Sequence, residues 1–416
     1  MSSFLFRQKK SKYLLPLILI ALLLPALVES ILVSLGDISS YYQLYYFIGY
    51  DYGFGGRKLL GTFFCNLLPG HVGHRQLLPI IWGINLVFLF LFVWFVSEGL
   101  KKASVYGIGF GLFLLYALWF VSPFSISSYF SQGVNLMFPE IWSMTLVLAF
   151  LFLHKYGRGE WWYYLLTLLI CVLCCLIHHV FCCLFFPLVF AIVIGDVLSE
   201  NNTKKDSLKK AFLYVAICLI LTAVFVAIWL FSHMNTDLNS VYEAICQRTA
   251  VGVCSHDRDA INQLYYLSNI ENRINQASNF PIQAIGLLLT IIVMSPLIII
   301  LIAPWALAYK RSTTKKSRWK YLLVGLVPIV IHAPIFFFAV DYGRWEYAWF
   351  FNYICLLVFF VWNGDKGIID AIKGMKEWGK KHLIFLACIF IYLAVLPEST
   401  AWNIPLIHQV AEIIIR

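Results

Sequence analysis

Charged side chains are scarce in this sequence. Asp, Glu, Lys and Arg make up 12% of the 416 residues, against about 25% in an ordinary soluble protein. The chain also lacks a P-loop, a glycine-rich turn that would open a nucleotide-binding βαβ unit, and a duplicated half. These absences exclude an ordinary soluble globular protein and leave nucleotide-driven chemistry without support.

Long apolar runs take the place of the missing charge. Hydrophobic residues make up 61% of the chain and aromatic residues 17%. A membrane-spanning helix needs about 20 apolar residues, and runs of about this length recur from residue 13 to residue 397. We therefore predict an all-α, polytopic membrane protein with one transmembrane domain over residues 1–416.

The predicted spans are bounded by charged or turn residues. They lie near residues 13–35, 76–97, 104–122, 137–154, 210–233, 281–307, 321–340, 346–362 and 383–397. A further stretch, residues 161–197, is too long for one span and barely long enough for two. If it turns at His178-His179 and the N-terminus is cytoplasmic, 23 of the 31 Lys and Arg residues lie inside and 8 outside. As one helix it would leave 13 inside and 18 outside, against the positive-inside rule.

The turn at His178-His179 gives about eleven transmembrane helices, with the N-terminus inside and the C-terminus outside. On this topology two outside segments are long, residues 36–75 and residues 234–281. The inside loops are mostly short and basic. We therefore look for function on the outer face.

The first outside loop contains the candidate catalytic acids. Aromatic residues crowd it, and its only acids between residues 36 and 58 are Asp37 and Asp51. Aromatic rings pack on the apolar faces of sugars, and a carboxylate can remove a proton from an acceptor hydroxyl as general base. The alternative is a tyrosine-rich interfacial helix whose acids are merely solvated.

A tripeptide of this loop recurs far along the chain. Asp51 opens an Asp-Tyr-Gly that precedes Arg57, and Asp341 opens a second Asp-Tyr-Gly that precedes Arg344. Arginine forms paired hydrogen bonds to phosphate oxygens, so two outside arginines near acids predict a substrate site that grips a lipid phosphate. The alternative is two local Asp–Arg pairs that pin turns.

Three more residues near the outer face are candidate substrate-binding groups. His178 and His179 form the predicted turn, and Glu140 begins the fourth span. A histidine at this position suits a proton shuttle or a phosphate contact, and the alternative is a hydrogen-bonded turn residue. The neighbouring cysteines are ordinary packing residues of apolar segments, and we expect no metal site.

The overall layout resembles a known superfamily. An acid just past the first span, a first outside loop of about 40 residues, short loops through the middle spans and a second large outside loop resemble the GT-C polyprenol-dependent membrane glycosyltransferases. The layout is also similar to that of O-antigen and capsule polysaccharide polymerases. In GT-C enzymes the first loop commonly carries an acidic pair, whereas here Asp37 stands in that place and Ile38 follows it.

The resemblance implies a sugar donor on a polyprenyl phosphate or pyrophosphate, and transfer to a glycan or lipid-linked acceptor outside the membrane. We expect membrane lipid as a further partner, no nucleic acid and no cofactor. The glycosylation sequon Asn201-Asn202-Thr203 falls on the predicted inside, which fits a bacterial inner, or plasma, membrane.

Two other classes of function compete with this interpretation. A transporter or flippase of lipid-linked oligosaccharide would place charges at mid-membrane on several helices. In the predicted spans only His332 lies clearly deep, which favours an enzyme with a site at one face. A membrane acyltransferase that uses His179 or His332 is the third class.

Overall fold

The computed structural model describes residues 44–67, 74–131, 138–200, 202–233, 237–248, 280–338 and 342–397, together with residue 235 and isolated positions at 18–31, 410 and 413. Within these residues the chain is helical and has no strand, so the expected all-α class is confirmed for this part of the chain. Two candidate site residues, Asp37 and Asp341, lie outside the described residues.

The described positions between residues 18 and 31 are α-helical. Two 3₁₀ turns, Leu44–Tyr46 and Tyr50–Tyr52, follow them and precede the helices numbered below. The first helices are α1 (Leu59–Leu67), α2 (His74–Val105), α3 (Gly109–Phe120), α4 (Ile126–Ser131), α5 (Glu140–Gly157), α6 (Trp161–Ile177), α7 (Phe181–Leu184), α8 (Phe186–Val197) and α9 (Lys204–Phe231). The later helices are α10 (Leu238–Arg248), α11 (Phe280–Val293), α12 (Ser295–Arg311), α13 (Lys315–His332), α14 (Ile335–Phe338), α15 (Tyr342–Trp362), α16 (Lys366–Lys381) and α17 (Leu383–Val395). Thus α1 lies within the first predicted outside loop, and α10 lies within the second.

Several helices are long and apolar enough to cross a membrane. Among the described residues, three reach this length and composition singly, within α2, α9 and α15. Two bent pairs, α11 with α12 and α16 with α17, bring the number to five if each pair is one span. These helices agree with a membrane protein.

Helix α9 has a largely apolar surface that the rest of the described protein leaves uncovered. Only 22% of its apolar stretch is buried in the protein, and its exposed side chains include Phe212 and Leu219, which are 73% and 65% exposed. Exposed apolar surface on this scale marks a protein or membrane contact. The surface of α9 therefore suits the hydrocarbon of a bilayer.

The break at His178-His179 is present in the structure. Helix α6 ends at Ile177 and α7 begins at Phe181, so residues 161–197 are not one continuous helix. The break brings His178 to the end of α6, where its backbone N–H still donates to Cys174 O at 2.9 Å. The two histidines therefore lie between helices, as the charge distribution predicted.

The expected single span over residues 281–307 is instead broken. The axes of α11 and α12 meet at 70°, with Met294 between them and Pro296 in the first turn of α12. Proline has no N–H to donate and its ring clashes with the carbonyl four residues earlier. A helix can begin at Pro296 but cannot run straight through it, which explains the bend.

The predicted inside loop over residues 363–382 is largely a helix. Helix α16 begins after Asp365, whose side chain accepts a hydrogen bond from the N–H of Ile368 at 3.1 Å. Its apolar side, with Ile368, Ile369 and Ile372 buried, packs on α12 and α3. It meets α17 at 98°, so α16 runs across the direction of the helix that follows.

Helix α15 lies at the centre of the bundle and positions the candidate site. It is 94% buried over its apolar stretch and packs on α2, α8 and α13. The amide of Asn352 donates to Leu184 O at 2.6 Å, and the Tyr353 hydroxyl donates to Gly325 O at 2.5 Å. Buried hydrogen bonds of this kind fix the rotation of a helix, and hence the direction in which Arg344 points.

Candidate functional site

The first outside loop is held against the end of α9 by two backbone hydrogen bonds. His233 N–H donates to Phe54 O at 2.9 Å, and Asn235 N–H donates to Tyr52 O at 3.1 Å. This pairing, which we call the loop–α9 bridge, joins segments about 180 residues apart. It fixes the segment that carries Asp51 and Arg57.

Lys58 stabilises the loop from the interior of the protein. Its side chain is buried, and its ammonium group donates to Gly53 O at 2.8 Å. Burial lowers the pKa of Lys58 to about 8, although the charge of Asp51 opposes the shift. Asp51 itself is exposed. The loop therefore presents an acid at the protein surface, while the lysine of the same loop is buried.

Arg57 has an unusual backbone conformation. Its φ is 71°, in the left-handed region that costs a non-glycine residue on the order of 1–3 kcal/mol. Its guanidinium group donates to the Tyr45 hydroxyl at 3.2 Å. Its Nε is buried without a hydrogen-bond partner among the described residues. The arginine is thus held in a strained position with an unused donor.

Gly56 brings the loop into contact with the histidine turn. A Cβ at this position would lie less than 3.0 Å from His179 Nδ1, closer than real atoms of this kind approach. The His179 ring cannot move aside freely, because it stacks on His178 with ring centroids 5.7 Å apart and planes at 6°. Only glycine lets the two segments approach this closely.

We therefore expect Gly56→Ala to lower the free energy of unfolding by about 1–3 kcal/mol, the usual cost of overpacking. Gly83→Ala, within α2, is the matched control, because a Cβ there meets nothing within 4 Å. Alanine in a helix interior is favoured over glycine by about 0.5–1 kcal/mol, so the control is expected to unfold at a higher temperature. Thermal unfolding in detergent measures both, and equal midpoints would contradict the contact.

Glu140, His178 and Arg344 form the centre of the site. Arg344 donates to Glu140 Oε1, and His178 Nε2 lies 3.7 Å from the same oxygen. Glu140 is 5% exposed and His178 2% exposed. The Arg344 guanidinium also lies 4.0 Å from the ring centroid of Phe138, an attractive cation–π contact. Since Glu140 begins α5, the helix dipole favours its negative charge.

The histidine turn links both arginines. Burial lowers the pKa of His178 well below its usual value, and the charges of Arg57, His179 and Arg344 lower it further. His178 is therefore neutral at pH 7. Both arginines act on one imidazole although 287 positions separate them in the sequence.

The centre of the site retains buried polar atoms without hydrogen-bond partners among the described residues. They include Glu140 Oε2, His178 Nδ1 and Arg57 Nε. Unpaired buried polar atoms cost free energy, and proteins retain them where a ligand satisfies them or where function requires them. We name the group Arg57, Glu140, His178, His179 and Arg344 the arginine–histidine cluster.

The structure brings together five of the residues singled out in the sequence, and these form the cluster. Asp51 lies on the exposed side of the same loop, and its negative charge acts on the ammonium group of Lys58. The described residues contain no group of three or more His, Cys, Asp or Glu side chains that could hold a metal ion.

The aromatic residues of the first loop differ from expectation. Tyr45, Tyr46 and Tyr52 are buried, so their rings pack in the protein core and are not available to stack on a sugar. Tyr50 and Phe54 remain partly exposed and stack on each other, with centroids 6.1 Å apart. Among the described residues of the loop, the aromatic surface is therefore reduced to this pair and Phe63, which is 55% exposed on α1.

Glu346 is a buried acid that sequence reasoning missed. The sequence predicts a short outside turn over residues 341–347, but α15 already begins at Tyr342, and Glu346 is only 4% exposed. His332 is 1% exposed, and Glu346 is thus a second buried ionisable side chain beside it. One reason to prefer an enzyme over a transporter is therefore weakened. The signal in the sequence is an acid between Trp345 and Tyr347 at the start of an apolar run.

Comparison with models of protein families, with curated proteins and with solved structures gives no match to this chain. The functional assignment therefore depends on the geometry of the arginine–histidine cluster and on the residues around it.

Proposed function

We propose that this chain is a membrane glycosyltransferase or polysaccharide polymerase that uses a polyprenyl phosphate or pyrophosphate-linked sugar at the outer face of the membrane. The observation that carries the proposal is the convergence of Arg57 and Arg344 on the neutral His178. Both arginines bring a guanidinium cation to the cluster, whose one described acid is Glu140. A phosphate group of a lipid carrier fits such a site in charge and in hydrogen bonding.

Each residue of the cluster has a role in this proposal. Arg344 is oriented by Glu140 and supplies a cation for a phosphate oxygen. Arg57 supplies a second cation from the loop segment that also carries Asp51. The Nδ1 of the neutral His178 has no hydrogen-bond partner among the described residues, so it is available for a hydrogen bond with a phosphate group without adding a charge to the site.

In the reaction the bond between the anomeric carbon and the donor phosphate breaks, and a bond from the acceptor oxygen forms. The acceptor proton moves to the carboxylate of Asp51, the exposed acid of the loop, or to Asp37. The negative charge that develops on the leaving phosphate is stabilised by the two arginines. Polyprenyl phosphate or pyrophosphate is then the second product.

The proposal includes the topology of about eleven spans, with the N-terminus inside, the C-terminus outside and the protein in a bacterial inner membrane. It predicts that a cysteine placed at Lys205 is cytoplasmic and that one placed at Ser240 is outside. Both positions are exposed. An impermeant thiol reagent applied to intact cells is expected to label only Ser240→Cys, in a variant that lacks Cys246 and Cys254, with that variant alone as control. Equal labelling of both positions from outside would overturn the topology.

The function is tested with purified protein in vesicles that contain a panel of polyprenyl-phosphate-linked sugars and candidate glycan acceptors. Release of free polyprenyl phosphate, measured by mass spectrometry, reports transfer whichever sugar the donor carries. We expect release with the natural chain and none with Arg57→Ala or Arg344→Ala. Intact donor lipid throughout the panel would contradict the proposal.

A transporter or flippase of lipid-linked oligosaccharide is the second candidate, and the buried pair of Glu346 and His332 favours it. The same vesicles distinguish the two functions. A fluorescent lipid-linked sugar in the inner leaflet is protected from an impermeant quencher, and flipping removes this protection while the lipid stays intact. Transfer instead separates the sugar from its carrier.

A further inference from the structure

A second polar site lies in a cavity on another side of α15. The cavity has a volume of about 500 Å³ and is bounded by α11, α12, α13 and α15. Its walls are mainly aliphatic, with Leu287, Ile291 and Ile298 among them, and they also include the largely buried side chains of His332, Glu346 and Trp349. It lies at the bend between α11 and α12, where Met294 is part of its wall.

The polar groups of this cavity lack partners. Both carboxyl oxygens of Glu346 are buried without a hydrogen bond among the described residues, as are His332 Nδ1 and Trp349 Nε1. His332 Nε2–H donates to Trp345 O at 2.8 Å, so its Nδ1 is a hydrogen-bond acceptor. The cavity therefore offers acceptors on Glu346 and His332, and a donor on Trp349.

Charge restricts what can bind there. The cavity lining contains no lysine or arginine among the described residues, so a phosphate would face a carboxyl group with no cation to compensate. An anionic donor lipid therefore belongs at the arginine–histidine cluster and not in this cavity. A hydroxyl group donates one hydrogen bond and accepts two, so it can donate to His332 Nδ1 or to Glu346 and accept from Trp349 Nε1 without burying a charge.

The entrance indicates where the ligand comes from. Leu288 and Ile291 line the cavity and are 57% and 44% exposed on the outer side of α11. Exposed leucine and isoleucine on a bilayer-facing helix open the cavity to hydrocarbon. The cavity volume of about 500 Å³ lies within the range of about 300–1,000 Å³ that holds one drug-sized ligand, and one apolar chain of moderate length is a ligand of this size.

We propose that the Glu346 cavity binds a single-chain lipid alcohol, with its hydroxyl at Glu346, His332 and Trp349 and its chain among the aliphatic residues of α11 and α12. The ligand enters sideways from the bilayer. The assignment is independent of sugar transfer, because it uses none of the residues of the arginine–histidine cluster.

The test uses a C15 prenol that carries a photoreactive diazirine on its chain, with the full-length protein in phosphatidylcholine nanodiscs. Crosslinks are mapped by mass spectrometry. We expect them on residues 284–298 and 329–350. Unlabelled farnesol is expected to compete, whereas the matching C15 hydrocarbon and farnesyl phosphate do not. Competition by the hydrocarbon as effective as that by farnesol would overturn the role of the polar groups.

Variants make the test specific. Glu346→Leu removes the carboxyl acceptors, and Ala333→Phe fills the cavity. Each is expected to lower crosslinking on the order of tenfold, the effect of losing a buried hydrogen-bonding group or the space itself. Glu377→Gln on the exposed side of α16 and Ala306→Phe on the exposed face of α12 are the matched controls and are expected to crosslink like the natural chain.

Two outcomes would contradict the proposal directly. Unchanged crosslinking in Ala333→Phe, with normal elution on size-exclusion chromatography, would show that the lipid lies elsewhere. If Glu346→Leu does not fold, the competitor series on the natural chain and Ala333→Phe still decide the matter. Stronger competition by dioctanoylglycerol than by farnesol would overturn the single-chain assignment.

Discussion

Replacement of Arg344 by lysine is expected to weaken binding of a prenyl diphosphate on the order of tenfold to a hundredfold. The guanidinium group has a planar fork, and one part of it is already used by Glu140. The rigid fork also fixes the directions of all its N–H groups relative to Glu140. Lysine is a point charge on a flexible stem, so it cannot hold Glu140 and a phosphate in one plane.

Binding is measured with radiolabelled farnesyl diphosphate and purified protein at two salt concentrations. Arg318→Lys is the matched control, because Arg318 is exposed on the predicted inside and its side chain donates a hydrogen bond to the backbone carbonyl of Ser312 at 3.0 Å, far from the cluster in the predicted topology. It is expected to bind the ligand like the natural chain. If Arg344→Lys binds equally well and the protein elutes as a single species, the arginine–histidine cluster does not bind the phosphate. Its two arginines then have only the structural role of stabilising turns.

The second large effect is expected at the acids of the first loop. Asp51→Asn keeps the size of the side chain but removes the base, and loss of general-base assistance costs about 10²–10⁴ in rate. Asp51 is exposed, so the amide, which has the same size, fits in its place. The rate of sugar transfer is therefore expected to fall while the amount of protein and its donor binding stay unchanged.

Single-turnover transfer with saturating donor separates this effect from binding. Asp37→Asn, made alone and together with Asp51→Asn, identifies which acid accepts the proton. Asp370→Asn on α16 is the control, because its carboxylate is exposed and pairs with Lys373 on the same helix. Full activity of the Asp37 and Asp51 double variant would remove both acids from the mechanism.

The sequence predicted the helical class and the residues of the cluster because both depend on simple physical signals. Charge placement identified the break at His178-His179, since one long helix would have put most cations outside. Arg344 was found because it follows a second Asp-Tyr-Gly on the predicted outer face, and Glu140 because it begins the fourth predicted span at that face.

Other features were missed because hydropathy carries no angular information. An apolar run reads the same whether its helix is straight or bent, so the 70° bend at Pro296 was not seen. Lysines lowered the hydropathy of residues 366–381, although Ile368, Ile369 and Ile372 lie at helical spacing and indicate an amphipathic helix. Glu346 was missed because α15 begins at Tyr342, before the predicted start of the span.

The loop–α9 bridge connects the site to the thickness of the bilayer. Helix α9 has 28 residues, and its apolar part, residues 211–231, is about 32 Å long, close to a hydrocarbon core of about 30 Å. Such a helix adapts to a thinner or thicker membrane by tilting. Because His233 and Asn235 are hydrogen-bonded to the loop, a change of tilt pulls on the segment that holds Asp51 and Arg57. Acyl-chain length is thus a physical variable that acts on the geometry of the site.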